Sequence, residues 1–445
     1  MKRYPAVMVF LAALAAYLST RHWHGGDDLP SILLPFALLR HGTLALDPFI
    51  DDWFRGRNAW FTIAVGARHL SWMPPATGLL ALPVCLVPAL RGATITVGLL
   101  MRLSKLSGAL ITAASVGVLW KALERRCSRQ WAFCLCALYG LGSWAFSVSG
   151  QALWQHGPAC LTLALGLWGL AEDGPRFDAL AGFGFAASAA VRPDDAFFFA
   201  AALAYLLYKE RRRLPLFLSG ALAPAVLSAA YWLHYTGRLR PPELGVQAAK
   251  LGGLDPNALL ALLVSPTRGL LTFFPAAAFG AWGAWKKRRD ALPPLLLAAC
   301  AAQWVFFACY DGWTGGNTFG ARYFAAAALV LTWLCAVIEP EVRGSRALLS
   351  LWSLCVSYSA VVHALGAYLP WPGPPDIPEQ KLAAWSWSLH PLAALLTTPR
   401  ALGAASLPAR AVAFSAALAL AAGGGALLRR GLGRTPGGAR DSGLH

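Results

Sequence analysis

The sequence predicts an all-α, polytopic membrane protein of about twelve transmembrane helices. Three observations carry this. First, 57% of the 445 residues are hydrophobic and only 13% are charged, against about 25% charged in soluble globular chains. Second, apolar runs of spanning length recur from end to end, and no interval between them is long enough to fold as a soluble domain. The runs are continuous and rich in Ala and Leu, whereas barrel strands would alternate in polarity over about ten residues. Third, the net charge of +17 comes mostly from clusters at the ends of the runs: Lys121–Arg126, Lys209–Arg213, Lys286–Arg289, Arg343–Arg346 and Arg429–Arg434. That is the pattern of cytoplasmic loops, and it argues against nucleic acid as the partner of the positive charge. The cysteines lie mainly inside apolar runs (Cys134, Cys136, Cys300, Cys335). None has metal-site spacing, so they read as small buried hydrophobes.

With the basic clusters cytoplasmic, the elements follow in order. A helix over about 4–20 leads outward, and one over about 106–121 returns to Lys121, Arg125 and Arg126. Tyr4 to Leu18 behind Lys2 and Arg3 also fits a signal peptide, but a retained anchor agrees with the topology. Helices over 131–148 and 157–171 form the next pair, closed by Glu172–Arg176. The pair 177–191 and 196–208 ends at Lys209–Arg213, and the pair 214–235 and 269–285 at Lys286–Arg289. The pair 291–309 and 322–338 ends at Glu339–Arg346, and 347–369 and 407–428 at Arg429–Arg434. Residues 1–428 thus read as one transmembrane domain with both termini cytoplasmic, and 429–445 as a disordered cytoplasmic tail.

This parity keeps Pro74–Leu100 from being one simple crossing. Pro83 and Pro88 break it into short pieces that lie at the outer interface, re-enter or cross twice. Arg91, Arg102 and Lys105 would snorkel to the interface. The first outer loop therefore runs from about 20 to 105. The other outer loops are 149–157, 191–195, 236–268, 311–322 and 369–407. The elaborate loops share one face, which points to work at that face.

The first outer loop opens with Gly25-Gly26-Asp27-Asp28-Leu29-Pro30. Carboxylates at a membrane edge are costly unless they are solvated, paired or used. Pro30 to Arg40 is apolar and reads as a helix lying in the interface, with Asp28 as its N-cap. Asp27 then has no structural assignment and is the candidate base. Asp47, Asp51 and Asp52 form a second acidic group. They read either as turn and cap residues or as carboxylate ligands for a divalent cation, the one cofactor the sequence suggests. Outer-side arginines run against the positive-inside trend, and Arg55, Arg57, Arg68, Arg192, Arg268 and Arg322 need a reason. Either they pair with loop acids and headgroups, or they converge on the phosphate of a lipid, which suits the guanidinium fork. His156 in Trp-Gln-His-Gly-Pro is either structural or part of the site. Trp313 and Tyr323 flank a turn holding Gly315, Gly316 and Gly320. They are belt aromatics or mark a close approach of backbone to ligand.

At these residues the chain resembles the GT-C superfamily of integral-membrane glycosyltransferases, which includes the protein O-mannosyltransferases and the lipid A aminoarabinose transferases. The likeness is one of architecture over nearly the whole chain: one helix, a long acidic outer loop, interfacial helices, a Met73-Pro74-Pro75 step and a multi-helix remainder. It is closer still to bacterial members that share Gly26-Asp27-x-x-Pro30, Leu38–Gly42, Ser265–Leu270 and Trp313–Tyr323. Several relatives carry Lys or Tyr before the Pro-Pro step, where this chain has Trp72-Met73, so a lipid-phosphate contact would come from elsewhere, Arg68 or Arg268 being the first choices.

The resemblance implies an inverting transferase of the bacterial inner membrane, active on the outer face. Its donor would be a polyprenyl-phosphate sugar, with Asp27 (or Asp28) the general base toward a hydroxyl of a protein, lipid or polysaccharide. Two other functions fit the sequence: a transporter or flippase of a lipid-linked glycan, and a non-catalytic assembly protein. A transporter should carry ionisable residues at mid-membrane, and His363 is the notable one.

Overall fold

The computed structural model describes residues 4–20, 26–56, 61–239, 245, 248–369 and 377–393. Arg57, the expected helix 407–428 and the tail 429–445 lie outside the described residues.

The first half runs through α1 (Pro5–Leu18), α2 (Asp28–His41), a 3-10 turn at Asp47–Phe49 leading into α3 (Ile50–Trp53), and a hairpin of β1 (Thr62–Val65) and β2 (Arg68–Ser71). It continues with α4 (Pro75–Leu80), α5 (Leu82–Leu90), α6 (Val97–Leu123), α7 (Arg129–Leu141), α8 (His156–Ala171), α9 (Pro175–Val191), α10 (Ala196–Lys209) and α11 (Leu214–Thr236). The second half holds helices Pro256–Val264, Leu270–Phe273, Ala277–Lys286, Leu292–Ala308, Ala325–Leu334, Glu339–Gly344, Arg346–Tyr368 and Ile377–Leu382. Helix starts carry local signals. Thr96, Ser128 and Ser345 cap their helices by accepting from the backbone N–H three residues on, and Asp255 accepts from Asn257 N.

The fold is helical with one exception to the all-α expectation. The hairpin pairs Thr62 with Ser71 and Val65 with Arg68 around Gly66, whose φ of +60° suits a two-residue turn. Strands of four residues inside a polar loop leave too short a pattern to read from sequence.

Four described helices combine the length and apolarity that a crossing needs: Val97–Leu123, Arg211–Thr236, Arg322–Gly344 and Arg346–Tyr368. Pro5–Leu18, His156–Ala171 and Leu292–Ala308 are apolar but shorter. A count of about twelve spans would have to include helices of this shorter kind.

Several expected elements come out differently. The helix expected over 106–121 starts at Val97, because its threonine cap lies at Thr96 and nothing after it breaks the helix. The one expected over 131–148 stops at Leu141, and Ala145–Ser149 then makes a single π-type turn. Pro275 interrupts the helix expected over 269–285. The stretch Pro74–Leu100 holds only the six- and nine-residue helices α4 and α5 before α6 begins. Neither is long enough to cross. Helix α2 was expected to lie in the interface, yet every residue from Asp28 to Ala37 is buried. Helices α4, α5 and α6 cover it.

The helix bundle is drawn together by small residues. Helix α9 packs along both α8 and α11. A Cβ on Gly182 would stand 1.7 Å from Phe217 O, and one on Gly220 1.9 Å from Ala179 O. The same holds between α8 and α9, where a Cβ on Gly184 would meet Gly166 N at 2.2 Å. Close backbone approach of this kind drives helix association where the surroundings are as apolar as the side chains.

The basic clusters among the described residues gather at one end. Arg213 pairs with Asp178 and donates to the carbonyls of Gly169 and Glu172. Arg125 pairs with Glu172 at 2.6 Å, Arg343 with Glu339 at 2.8 Å, and Lys286 with Glu341. The acidic loop lies at the opposite end.

Gly182→Ala must push α9 and α11 apart. We expect it to cost about 1–3 kcal/mol, read as a lower unfolding temperature in detergent. Gly98→Ala, where nothing lies within 4 Å of the new methyl group, should cost nothing measurable. Equal effects at the two positions would contradict the close-packed crossing.

Candidate functional site

The acidic loop enters the site through Gly26, whose φ is +83°. Only glycine fits here: a Cβ would lie 2.3 Å from the Phe61 ring. Asp27 follows at the N-cap position of α2, but its side chain caps nothing. Instead its Oδ2 lies 2.8 Å from Nη2 of Arg322, with the two side chains 16% and 15% exposed. Asp28, expected as the cap, is the first residue of α2 and only 1% exposed. Its Oδ2 accepts from Ser104 Oγ at 2.5 Å, and the same hydroxyl accepts from Leu153 N. Asp28 therefore ties α2 to α6 and to the segment 150–154.

Arg322 sits just after the glycine-rich turn, with its guanidinium 4.8 Å above the Trp154 ring. The turn is held by Arg268, whose Nη1 donates to Thr318 O (3.0 Å) and Gly320 O (3.4 Å) and whose Nη2 donates to Gly316 O (3.2 Å). Ser265 Oγ accepts from Arg268 N, which shapes the Ser265–Leu270 segment. Burial, with the charge of Arg322 adding to it, brings the Arg268 guanidinium down to about 10. Its Nη groups hold the carbonyls of the turn, while its Nε has no hydrogen-bond partner among the described residues. Trp313 is buried, and Tyr323 donates to Gly312 O while its ring stacks on Phe307 at 4.2 Å. Both aromatics wall the turn from inside rather than lying in an interfacial belt.

His156 and Arg192 meet on the other side of Trp154. Arg192 Nη1 donates to His156 Nδ1, which fixes the imidazole proton on Nε2. The rest of the fork grips Asp194, Nη2 to Oδ2 at 2.8 Å and Nε to Oδ1 at 3.3 Å. Gln303 Nε2 donates to Asp194 at 2.7 Å and to Asp195 at 3.2 Å. Burial, with the neighbouring Asp194 charge, pushes the Asp195 carboxyl up to about 7. Ser188 Oγ donates to Asp195 Oδ2 at 2.6 Å and lies 3.1 Å from Ala159 O.

Lys105 was expected to snorkel, but it is 9% exposed and all three ammonium donors are engaged. They reach Thr20 Oγ1 (2.8 Å), Gly150 O (3.0 Å) and Gln151 Oε1 (2.9 Å). Ser104 and Lys105, adjacent on α6, thus clamp 150–153 in place beneath Trp154. Sequence reasoning missed Lys105, Trp154, Asp194, Asp195 and Gln303. Ser104, Lys105, Ser107 and Thr112 inside an otherwise apolar helix were the available signal.

The remaining candidates do not join this cluster. Arg55 pairs with Asp51, both largely exposed. The Arg68 guanidinium lies 5.4 Å over the Tyr235 ring. Asp47 accepts from His69 N and approaches its Nδ1 at 3.1 Å, bracing the hairpin. Asp52 is exposed. No group of three His, Cys, Asp or Glu side chains among the described residues has metal-site geometry, so Asp47, Asp51 and Asp52 do not form the expected ligand set.

No protein-family model and no curated protein matches the sequence. The fold resembles that of ArnT from Cupriavidus metallidurans. The likeness covers 96% of this chain and 76% of that one, at a TM-score of 0.52 and 17% identity. At that identity it is a likeness of fold alone.

Between the unfolded carboxyl value near 3.9 and about 7, the folded protein holds a proton on Asp195 that the unfolded chain lacks. Stability from this group is therefore lost as pH rises through that window. Asp195→Asn, which imitates the protonated acid, should flatten the fall in unfolding temperature from about pH 5 to about pH 8. A variant with the wild-type pH slope would contradict a neutral Asp195.

Proposed function

We propose that the protein is an inverting glycosyltransferase that moves a sugar from a polyprenyl-phosphate donor to a hydroxyl acceptor, with Asp27 as general base. The observation that carries this reading is the ion pair of a largely covered carboxylate, Asp27, with Arg322. The GT-C type of fold supports a lipid-linked donor. The gathering of basic clusters at the far end supports an outer-face site in the bacterial inner membrane.

In this mechanism the acceptor oxygen attacks the anomeric carbon as Asp27 takes its proton. The bond from that carbon to the phosphate oxygen breaks, and the lipid phosphate leaves with the electron pair. One displacement inverts the anomeric centre, so no glycosyl-enzyme intermediate forms. Arg322 stabilises the charge on the leaving phosphate. Trp154 lies under its guanidinium. Arg268 acts at one remove, by fixing the turn that presents Arg322.

His363, the residue that would have favoured transport, is enclosed. Its Nδ1 bonds Ser147 Oγ, and the Trp144, Phe273 and Phe319 rings surround it. It has the setting of a packing residue.

Purified wild type, Asp27→Asn and Asp28→Asn should be followed for sugar release from a panel of polyprenyl-phosphate donors with cell-envelope acceptors. We expect Asp27→Asn to lose about a hundred- to ten-thousand-fold in turnover while still binding donor, and Asp28→Asn to keep turnover. Equal turnover in all three would sink the assignment of the base. Transfer of labelled lipid between leaflets by wild type, without sugar release, would make the protein a flippase instead.

A further inference from the structure

Arg322 differs from the two other buried arginines at this end. Arg268 is committed to the carbonyls of Gly316, Thr318 and Gly320. Arg192 holds Asp194 in a two-point fork and donates to His156 as well. Arg322 makes a single-point contact to one oxygen of Asp27. Its Nε, like that of Arg268, is buried without a hydrogen-bond partner among the described residues, but Arg268 anchors three carbonyls through its Nη groups and Arg322 does not. A guanidinium has five donors in a fixed plane, and a buried donor left unmatched is costly. A tetrahedral oxyanion reaching Nε and an Nη together would satisfy it better than the carboxylate does. Trp154 beneath the guanidinium offers a flat face on which it can shift while remaining covered.

We propose that Arg322 alternates between two mutually exclusive partners, Asp27 in the resting protein and the phosphate of the donor in the loaded one, so that arrival of the donor unmasks the base. This rests on the transferase reading and adds its order of events. While Arg322 is ion-paired with Asp27 Oδ2, that oxygen is not open to an acceptor hydroxyl. Once a phosphodiester takes Arg322, the carboxylate is released at the mouth of the site, where its next hydrogen-bond donor is the hydroxyl to be deprotonated. Charge is conserved at the guanidinium: one anion replaces another. The acceptor therefore engages the base only after donor has bound, and an empty site holds no armed carboxylate.

The test is a double-mutant cycle on binding rather than turnover. Polyprenyl phosphate without sugar is titrated into nanodiscs of phosphatidylcholine holding wild type, Asp27→Asn, Arg322→Gln and the double variant. Under exchange, Asp27→Asn frees Arg322 in advance and tightens binding roughly tenfold. Arg322→Gln weakens binding, and in that background Asp27→Asn changes it by less than about twofold. Equal tightening in both backgrounds would reduce the effect to plain charge repulsion and overturn the exchange. So would no tightening in the wild-type background, since Arg322 would then serve both anions at once. Binding by none of the variants, wild type included, would overturn the lipid-phosphate reading itself and the exchange with it. Arg322→Lys keeps the charge and guards against a folding loss in Arg322→Gln; it should retain part of the coupling. Inorganic phosphate, run alongside, separates the sources of the anion. Coupling with the lipid alone assigns the lipid-linked donor, and coupling with both assigns the phosphate group itself; either supports exchange.

Discussion

The ion pair between Asp27 and Arg322 joins the first loop of the chain to the start of one of its late helices. Both side chains are about five-sixths covered, so neither charge is tolerable there without the other or a substitute. Much of the surrounding structure reads as the means of bringing these two groups together. Gly26 against Phe61 bends the chain into Asp27. Asp28 pins the first turn of α2 to Ser104. On the opposite side, Arg268 gathers the carbonyls of the glycine-rich turn and so sets where Arg322 begins. Trp154, the floor under the guanidinium, is placed by a segment that Ser104 and Lys105 hold from below.

This division explains why the two ends of the molecule differ. At the basic end, ion pairs such as Arg125–Glu172 and Arg343–Glu339 close short connections between helices. They are partly solvated and contribute little individually. Between the ends, backbone-to-backbone contact at Gly166, Gly182, Gly184 and Gly220 makes a bundle with little room to flex. At the acidic end, Asp27 pairs with Arg322, Trp154 lies against both Arg322 and His156, and Arg192 links His156 to Asp194, which Gln303 also holds.

The sequence made the helices legible because apolar length is a strong signal, and it marked Asp27 because that carboxylate had no structural duty. Arg192, Arg322 and His156 stood out as charge or polarity on the unexpected face. What escaped reading is what depends on tertiary partners. Lys105 looks like an interfacial lysine until Thr20, Gly150 and Gln151 are seen around it. Arg268 looks like a phosphate ligand until its turn folds back over it. Asp28 had the spacing of a cap, but the helix starts one residue earlier in the pattern, so the cap position falls on Asp27. Helix α2 appeared interfacial because its neighbours α4 and α5 were too short to register as its cover.

The most direct test is an experimental structure of the protein in a lipid nanodisc with a polyprenyl-phosphate sugar bound. The account predicts a phosphate oxygen within about 3 Å of the Arg322 guanidinium, the Asp27–Arg322 contact broken, and the Asp27 carboxylate turned toward the anomeric carbon. A donor phosphate lodged elsewhere, with the Asp27–Arg322 pair intact, would contradict it.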